Sequence, residues 1–344
     1  MIRSLRVQHV RTHEDYTLEI APDVTVITGS NGSGKTSLLE ALYIALQGSS
    51  FKGSDKDVLK RDNTWYRIDL TFTDAPERTV KYEPNRETGR KQFIVDEKKF
   101  YRLPQQYRQP VVLFEPDDLR LLHGSPERRR RFIDQLITQV DANYGTMLRR
   151  FERVLKQRNI LLKNQAPKDD FFAWDVSLSE YGAKIIEKRQ QFVSELNASL
   201  NDTYKAIADS DDSVHVKYSH HYEDSVQQKL LMELHQAQAR DLILGYTTIG
   251  PHRHDVIFEF NHSPALAVAS RGEVRSIVLA LKFLEIGIIE KTLDNKPVVL
   301  LDDVFSELDE KRQKHLTTLT KSHQIIITSA TSGSLIKTRY ITKL

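Results

Sequence analysis

The sequence contains no cysteine and no long run of hydrophobic residues. The missing thiols exclude disulfide bonds, thiol catalysis and cysteine-liganded zinc or iron–sulfur sites. No segment approaches the roughly 18 consecutive apolar residues that a membrane-spanning helix needs. The amino-terminal segment is interrupted by charge every few residues, which is unlike a secretory signal. These absences predict a cytoplasmic protein that does not associate with a membrane.

The chain also lacks a strong excess of either charge. Its 344 residues include 50 lysines and arginines against 47 aspartates and glutamates, for a formal net charge of +3. This balance does not by itself indicate a nucleic-acid-binding protein, so any basic surface must be local. The 39% of hydrophobic residues is typical of a globular chain, and the length predicts about two domains.

The hydrophobic patterns predict an α/β protein that a helical segment interrupts. Residues 24–28 are a buried strand pattern, followed by a glycine-rich loop and an apolar helix. Strand-like runs between 65 and 114, including 111–114, predict a mostly antiparallel β region. Dense apolar runs at 298–301 and 325–328 predict buried parallel strands.

The middle of the chain predicts an antiparallel helical arm. Ser125 and Pro126 start a helix, because serine caps and proline suits the first helical position. Apolar spacing then favours one helix of about 38 residues, roughly 57 Å long, and a second helical pattern spans 178–204. These patterns predict an α/β domain over 1–124 and 209–344, with the arm at 125–208.

A phosphate-binding loop follows the first buried strand. Residues 29–36 read GSNGSGKT and fit the pattern G-x-x-x-x-G-K-[ST] at every required position. Lys35 would bring positive charge to the β- and γ-phosphates, and the Thr36 hydroxyl would bind Mg²⁺. An ordinary glycine-rich turn does not account for the flanking strand and helix. The predicted nucleotide-binding residues are Gly29, Ser30, Asn31, Gly32, Ser33, Gly34, Lys35, Thr36 and Ser37.

Two consecutive carboxylates, Asp302 and Asp303, end a later buried strand pattern. The first can hold the Mg²⁺ shell, and the second can polarise an attacking water. The alternative is a strand that ends in an ordinary polar turn, and the phosphate-binding loop favours the functional interpretation. The predicted catalytic residues are Lys35, Asp302 and Asp303, and the predicted metal ligands are Thr36 and Asp302.

The sequence SRGE at 270–273 supports two interpretations. Ser270 and Glu273 fit a capping box, which explains a helix start. Gly272 is a poor helix former, and a serine hydroxyl, a glycine amide and a helix N-terminus together make an anion site. The capping box and the anion site are compatible, because a capped helix N-terminus is also a place where a phosphate can bind.

The order of these motifs resembles that of ABC-type ATPases. Among such ATPases, the inserted helical arm is similar to that of the RecF family of bacterial DNA replication and repair proteins. The resemblance covers essentially the whole chain. It rests on GSP at 124–126, RRRFID at 129–134, QRN at 157–159, WD at 174–175, GPHR at 250–253, SRGE at 270–273, LDD at 301–303 and SELD at 306–309. The implied fold is an ABC-type ATPase head, with a P-loop α/β core and an antiparallel β region, carrying an inserted antiparallel helical arm.

The resemblance also implies roles and partners. Asp302 would be the Walker B acid and Asp303 the catalytic carboxylate. The signature residues that would contact ATP across a dimer are Ser270, Arg271, Gly272 and Glu273, and the D-loop residues are Ser306 and Asp309. RecF-like proteins bind DNA at junctions between double and single strands and dimerise when they bind ATP. Together with RecR and RecO, they load RecA onto DNA. The implied cofactors are ATP and Mg²⁺, with weak DNA-stimulated ATP hydrolysis.

Three positions depart from the related enzymes. Residues 115–117 stand where ABC enzymes place a glutamine loop. Thr328 and Ser329 stand where transporters carry a switch histidine, which implies slow hydrolysis. His254 stands where an acid is expected.

Basic residues near the P-loop helix and at the start of the arm are predicted DNA contacts. They are Lys52, Lys56, Arg128, Arg129, Arg130 and Arg131, with Lys60 and Arg61 in the same first stretch. Such residues can neutralise backbone phosphates without reading sequence. Alternatively, they are solvated or paired with acids such as Glu127 and Asp134.

Two other functions compete with a DNA-repair ATPase. A transporter-energising ATPase would have a much shorter gap between the P-loop and the signature. A monomeric P-loop kinase would explain Lys35 and Asp302, but it leaves 270–273 and 306–309 without a role.

Overall fold

The computed structural model describes residues 1–85, 91–222, 224–304, 308–319, 322–330 and 340–344. The chain divides into two units, one of Met1–Asp118 with Ile289–Leu344 and the other of Leu119–Ile288. The predicted domain boundaries, 1–124 with 209–344 and 125–208, differ from this division and stay a prediction. Among the helices so described, none is both long and apolar enough to cross a membrane.

Both ends of the chain contain strands and helices, and the middle is mainly helical. In chain order they are β1 (Ile2–Val10), β2 (His13–Glu19), β3 (Val24–Thr28), α1 (Lys35–Gln47), α2 (Asp55–Val58), β4 (Tyr66–Phe72), β5 (Arg78–Tyr82), β6 (Gln92–Val95), β7 (Lys98–Phe100), β8 (Val111–Phe114), α3 (Pro126–Val140), α4 (Ala142–Lys163), α5 (Phe172–Ala208), β9 (Val214–Tyr218), α6 (Val226–Leu244), β10 (Val256–Phe260), β11 (Ser263–Pro264), α7 (Ala265–Val268), α8 (Arg271–Leu293), β12 (Val298–Asp302), α9 (Glu310–Leu319), β13 (Ile325–Ser329) and β14 (Tyr340–Lys343). Short 3-10 helices span Gln105–Tyr107, Pro116–Arg120 and Lys168–Phe171.

Two sheets form the first unit. An antiparallel sheet has the strand order β2-β1-β4-β5-β6-β7, and a parallel sheet has the order β14-β3-β13-β12-β8. The predicted strands at 24–28, 298–301 and 325–328 are confirmed as neighbours in the parallel sheet. The assignment of 111–114 to the antiparallel region is wrong, because β8 pairs in parallel with β12. A short apolar run does not reveal which sheet it joins.

Helix α1 packs against strands of both sheets, so it forms the centre of this unit's core. Its buried apolar residues are Leu38, Leu39, Ala41, Leu42, Ile44, Ala45 and Leu46. Strands β3 and β12 are buried along their whole length, whereas β4 alternates between buried and half-buried positions. The loop before α1 and the ends of the parallel strands are therefore held by a continuous apolar core.

The second unit contains helices α3 to α7, the first part of α8 and a small sheet of order β11-β10-β9. Helix α5 has 37 residues and packs against α4 and α6. The prediction of one long helix from residue 125 is wrong, because the helix is interrupted at Asp141, between α3 and α4. The Asp141 side chain accepts hydrogen bonds from the backbone of Asn143 and Tyr144, at 3.0 and 3.3 Å, and so caps α4.

Two buried arginines connect several elements of the second unit through hydrogen bonds and ion pairs. Arg158 on α4 is fully buried and donates to Asp175, Asp241 and Thr247 at 2.6, 2.8 and 2.9 Å. Arg189 on α5 forms a two-pronged pair with Asp134 and also donates to a backbone carbonyl in the 250–255 segment. These motif residues link the helices of the unit to one another and to that segment.

Candidate nucleotide-binding site

The P-loop turns into α1 through a glycine that no other residue can easily replace. Gly34 has a φ of 99°, in the left-handed region. A Cβ built there would lie 2.4 Å from His13 Nε2 and 2.5 Å from Thr12 Oγ1. The His13 ring also donates through Nε2 to the Gly34 carbonyl, at 3.1 Å. The turn between β1 and β2 therefore closes directly on the P-loop.

Lys35 is buried at the start of α1, and its ammonium group is held by the loop itself. Its Nζ donates to the carbonyls of Gly29 and Ser30, at 2.9 and 3.2 Å. Within the described part of the chain no carboxylate pairs with this ammonium group. The loop thus combines an uncompensated positive charge with the N-terminal end of a helix, which favours a polyanion.

Thr36 and Asp302 meet at the ends of the buried strands, as the two motifs predict. The Thr36 hydroxyl donates to Asp302 Oδ1 at 2.7 Å, and Thr328 Oγ1 donates to the same oxygen at 2.9 Å. Strands β12 and β13 are adjacent and parallel, so their carboxyl ends bring Asp302 and Thr328 together, and Thr36 reaches them from the first turn of α1. A hydroxyl and a carboxylate are ligands that Mg²⁺ prefers.

Asp303 follows in a left-handed conformation, with a φ of 51°. Its backbone N–H donates to Thr328 Oγ1 at 2.9 Å. Thr328 therefore contacts both acids of the doublet. Its hydroxyl is fully engaged within the protein.

Lys52 lies at this site and was predicted as a DNA contact. Its Nζ is 3.5 Å from Asp302 Oδ2, the oxygen that the threonines leave open. The Ser50 hydroxyl positions it by accepting from the backbone of Lys52 and Gly53, at 2.9 and 3.1 Å. Ser50 in turn donates to the buried Glu40 on α1, which Arg11 holds with two hydrogen bonds of 2.9 Å.

The residues of the β1–β2 turn carry no sequence signal of a role at this site. Thr12 and His13 approach the P-loop, and Arg11 reaches Glu40 on α1, because the antiparallel sheet packs on α1. No local pattern signals this contact, since the turn lies about twenty residues before the motif that it touches.

The polar groups of the P-loop and of Asp302 are of the kinds that bind a triphosphate with Mg²⁺. The Ser33 hydroxyl is buried in the loop and makes no hydrogen bond in the described structure. Thr36 and Asp302 would hold the cation, and Lys35 would face the phosphates. Together these groups can bind a nucleotide and orient its terminal phosphate. Beyond them, the described residues contain no cluster of three or more histidines and acids able to hold a metal ion.

The predicted signature residues lie in the second unit and form the capping box. Ser270 N–H donates to Glu273 at 2.6 Å, and Glu273 N–H donates to the Ser270 hydroxyl at 3.3 Å. Arg271 and Gly272 form the first turn of α8. The capping interpretation therefore holds, and contact with ATP stays a prediction. Of the D-loop residues, Ser306 lies outside the described residues, and Asp309 accepts from the backbone of Arg312 at 3.0 Å to cap α9.

The basic run at the start of α3 is partly used inside the second unit. Arg129 makes a two-pronged pair with Asp255, at 2.8 and 2.7 Å. Arg130 donates to the His254 carbonyl at 2.6 Å. Arg131 is 68% exposed and pairs with Glu127 at 3.1 Å, and Arg128 is half-buried. As DNA contacts all four stay a prediction.

His254 stands where an acid is expected, and its buried ring makes aromatic contacts. Its ring stacks on that of His220 with centroids 3.9 Å apart, and Tyr218 hydrogen-bonds its Nδ1 at 2.8 Å. Burial, with the nearby His220 and Arg189, lowers the pKa of the His254 ring to about 3. The ring is therefore neutral at physiological pH.

Comparisons with known proteins agree with this geometry. A family model described as an AAA domain matches residues 4–314. The DNA replication and repair protein RecF of Agathobacter rectalis is 33% identical over 99% of this chain and 95% of its own length. These matches extend over both units.

Solved structures match the whole fold. The recombination mediator protein RecF-ATPrS of the RecFOR pathway is 29% identical, with a TM-score of 0.90 over 100% of this chain and 96% of that chain. RecF-ATP of the same pathway is 30% identical, with a TM-score of 0.88 over 99% and 95%. An SmcHead bound to the C-winged helix domain of ScpA is 14% identical, with a TM-score of 0.55 over 99% and 93%, and shares the fold alone. The predicted fold class, an ATPase head with inserted helices, is confirmed.

Proposed function

Because the chain belongs to the RecF family of DNA replication and repair proteins, we propose that it is an ATP-binding DNA-repair protein that dimerises on DNA. The observation that carries this proposal is the convergence of Lys35, Thr36 and Asp302 at one edge of the parallel sheet. These groups form the donor set for a triphosphate with Mg²⁺. The related structure solved as RecF-ATP supports ATP as the nucleotide.

Each residue of the site has a defined task in this proposal. The P-loop residues 29–37 bind the phosphates, and Lys35 stabilises the charge on the terminal one. Thr36 and Asp302 hold Mg²⁺, which screens phosphate charge when bound. Asp303 acts as the general base toward water. The threonine at 328 cannot take up a proton as a histidine does, which supports slow hydrolysis.

Dimerisation completes the site in the proposal. The capped N-terminus of α8 offers the Ser270 hydroxyl and the positive end of the helix to the γ-phosphate held by a second copy. Ser270, Arg271, Gly272 and Glu273 supply this contact, and Ser306 with Asp309 face the partner. ATP thus joins two copies, and hydrolysis releases them.

The DNA part of the proposal rests on the family and on exposed cations. Double-stranded DNA and its junctions with single strands would lie against basic residues such as Lys56 and Arg131. Junction preference, DNA-stimulated hydrolysis and RecA loading with RecR and RecO follow from family membership. The RecF relatives named above support neither the transporter alternative nor the kinase alternative.

Light scattering of the Asp303→Asn variant tests the proposal, because loss of the general base preserves bound ATP. The mass is measured with and without ATP–Mg²⁺, and with and without a short duplex that carries a single-stranded end. We expect a monomer alone, a dimer with ATP and more dimer with DNA. The Lys35→Ala variant is the matched control and should stay monomeric throughout.

Three outcomes would contradict the proposal in different places. A protein that binds ATP and stays monomeric would remove the role of residues 270–273 across a dimer and favour a kinase. Dimerisation that ignores DNA would keep the ATPase mechanism and remove the repair assignment. Failure to bind ATP would reject the site itself.

A further inference from the structure

We propose that the exposed side of helix α4 is a binding surface for the phosphate backbone of double-stranded DNA. The residues that form it, the basic row, are Arg149, Arg153, Lys156 and Lys163. This inference rests on the proposed function, and it names the surface that would hold the DNA. The row belongs to the second unit, and none of its residues takes part in the nucleotide site.

The basic row lies on one side of a single helix. Its successive members are separated by four, three and seven positions, so they recur on the same side of a helix with 3.6 residues per turn. The opposite side of α4 is packed into the unit, and its buried side chains include Tyr144, Phe151 and Leu162. The row therefore faces solvent, away from the packed side.

The exposed side of α4 carries a strong excess of positive charge. Five cations, the basic row and Arg150, stand against one exposed acid, Glu152, which leaves an excess of four. Within the described residues, the ion pairs of this helix are those of the buried Arg158. The next exposed acids, Asp169 and Asp170, follow the end of the helix. This excess is large for one helix in a chain whose net charge is +3.

Acids beside α4 are paired with cations of α5, which packs against α4. Glu180 accepts from Lys184 at 2.7 Å, and Asp141, which caps α4, lies 3.0 Å from the ammonium group of another α5 lysine. Arg150 and Lys184 also lie 5.9 and 6.0 Å from the centre of the Tyr181 ring. These contacts leave the cations of the basic row for an external anion.

The basic row matches a regular line of phosphates in length. From Arg149 to Lys163 the helix rises by about 21 Å, at ~1.5 Å per residue. One strand of a duplex places a phosphate about every 3.4 Å along its axis, so this length runs beside about six phosphates.

The form of the row favours a duplex over a single strand. Surfaces that bind single strands combine cations with aromatic rings on which the bases stack, and the basic row itself contains no aromatic residue. A straight helix instead suits the regular phosphates of a duplex. Such contacts position DNA without reading its bases, so we expect binding that does not depend on sequence.

Fluorescence anisotropy with a labelled blunt duplex tests this inference on the full-length protein with ATP–Mg²⁺. The test variant combines Arg149→Gln, Arg153→Gln and Lys156→Gln, because glutamine keeps the helix propensity and removes the charge. At about 0.1 M salt, duplex binding should weaken at least about tenfold, since fewer counterions are released. The slope of log K against log salt concentration should become shallower by about two to three. A merely structural role would not change that slope.

The matched control removes the same charge from another exposed stretch. It combines Lys98→Gln, Lys99→Gln and Arg102→Gln, beside the acids Asp96 and Glu97. This control should bind the duplex within about twofold of the wild type and keep its salt slope. Circular dichroism and light scattering with ATP–Mg²⁺ should show the wild-type fold and mass for both triple variants.

Glu152→Gln supplies a test that misfolding cannot imitate, because the expected result is a gain. The variant removes the exposed acid of α4, so duplex binding should strengthen by about two- to fivefold. Unchanged or weaker duplex binding by a folded Glu152→Gln protein would contradict the inference.

The outcomes separate this inference from the function on which it rests. If the wild type binds the duplex and the α4 triple variant equals it in affinity and salt slope, the inference alone is overturned. Equal losses in the α4 variant and its control would also overturn it, since they would report net charge. A larger loss for a single strand of equal length would overturn the choice of a duplex. A wild-type protein that binds no DNA would overturn the proposed function as well.

Discussion

Replacing Arg158 with methionine is expected to destabilise the second unit by about 3–5 kcal/mol at pH 7. The guanidinium is fully buried and bonded to Asp175, Asp241 and Thr247. Methionine fills a similar volume without the positive charge or the donors. Two buried carboxylates then lose their shared cation, and the cost of an unpaired buried charge exceeds that of the altered packing.

The loss of stability in Arg158→Met should depend on pH, and the Asp175 carboxyl determines the direction of that dependence. Burial raises the pKa of the Asp175 carboxyl above its ordinary value, and Arg158 opposes that rise. In Arg158→Met the opposing attraction is gone, so the native-state pKa of Asp175 rises further above that of the unfolded chain. The native state of the variant then takes up a proton as the pH falls, which recovers stability. The loss should therefore be largest at pH 7 and smaller at pH 5.

Urea unfolding, followed by far-ultraviolet circular dichroism at both pH values, measures the effect. The matched control is Lys184→Met on α5, which removes the same charge from an exposed pair with Glu180. That pair should contribute no more than about 0.5 kcal/mol. A loss in Arg158→Met that equals the control, or one that grows as the pH falls, would refute the reasoning.

Two further predictions concern the nucleotide site. Gly34→Ala should weaken binding of a fluorescent ATP analogue at least about tenfold, because a Cβ in this left-handed position meets the β1–β2 turn. Gly287→Ala, where a Cβ meets nothing within 4 Å, should bind normally, and equal binding by both variants would contradict the prediction. Lys52→Gln should lower the Mg²⁺ concentration needed for that binding by about two- to fivefold, because it removes a cation 3.5 Å from Asp302. An unchanged requirement, equal to that of Lys56→Gln, would speak against it.

The parts of the site that the sequence predicts are those encoded by local patterns. A buried strand, a glycine-rich loop and a lysine at the start of a helix are adjacent in sequence, so their geometry follows from their order. The meeting of Thr36 with Asp302 also follows, because Asp302 ends β12 and the P-loop that leads to Thr36 follows β3 in the same parallel sheet. Sequence patterns do not show that Thr328 closes the same network, although its place near the carboxyl end of β13 marks it as a candidate.

The parts that were missed depend on packing between distant segments. The approach of His13 to Gly34 requires the antiparallel sheet to rest on α1. The break at Asp141 was hidden because a one-residue interruption hardly disturbs the apolar spacing between Ile137 and Tyr144. An aspartate followed by a helical pattern is a capping signal, and here it outweighs the continuity of the hydrophobic stripe.

Lys52 shows that sequence alone does not reveal what a basic side chain contacts, and as a DNA contact it stays a prediction. Its neighbours in the chain include other cations, which favoured a shared role on the surface. The Ser50 turn instead directs it to Asp302, while Lys56 remains exposed four residues later. Charge composition is common to both positions, and only the backbone conformation separates them.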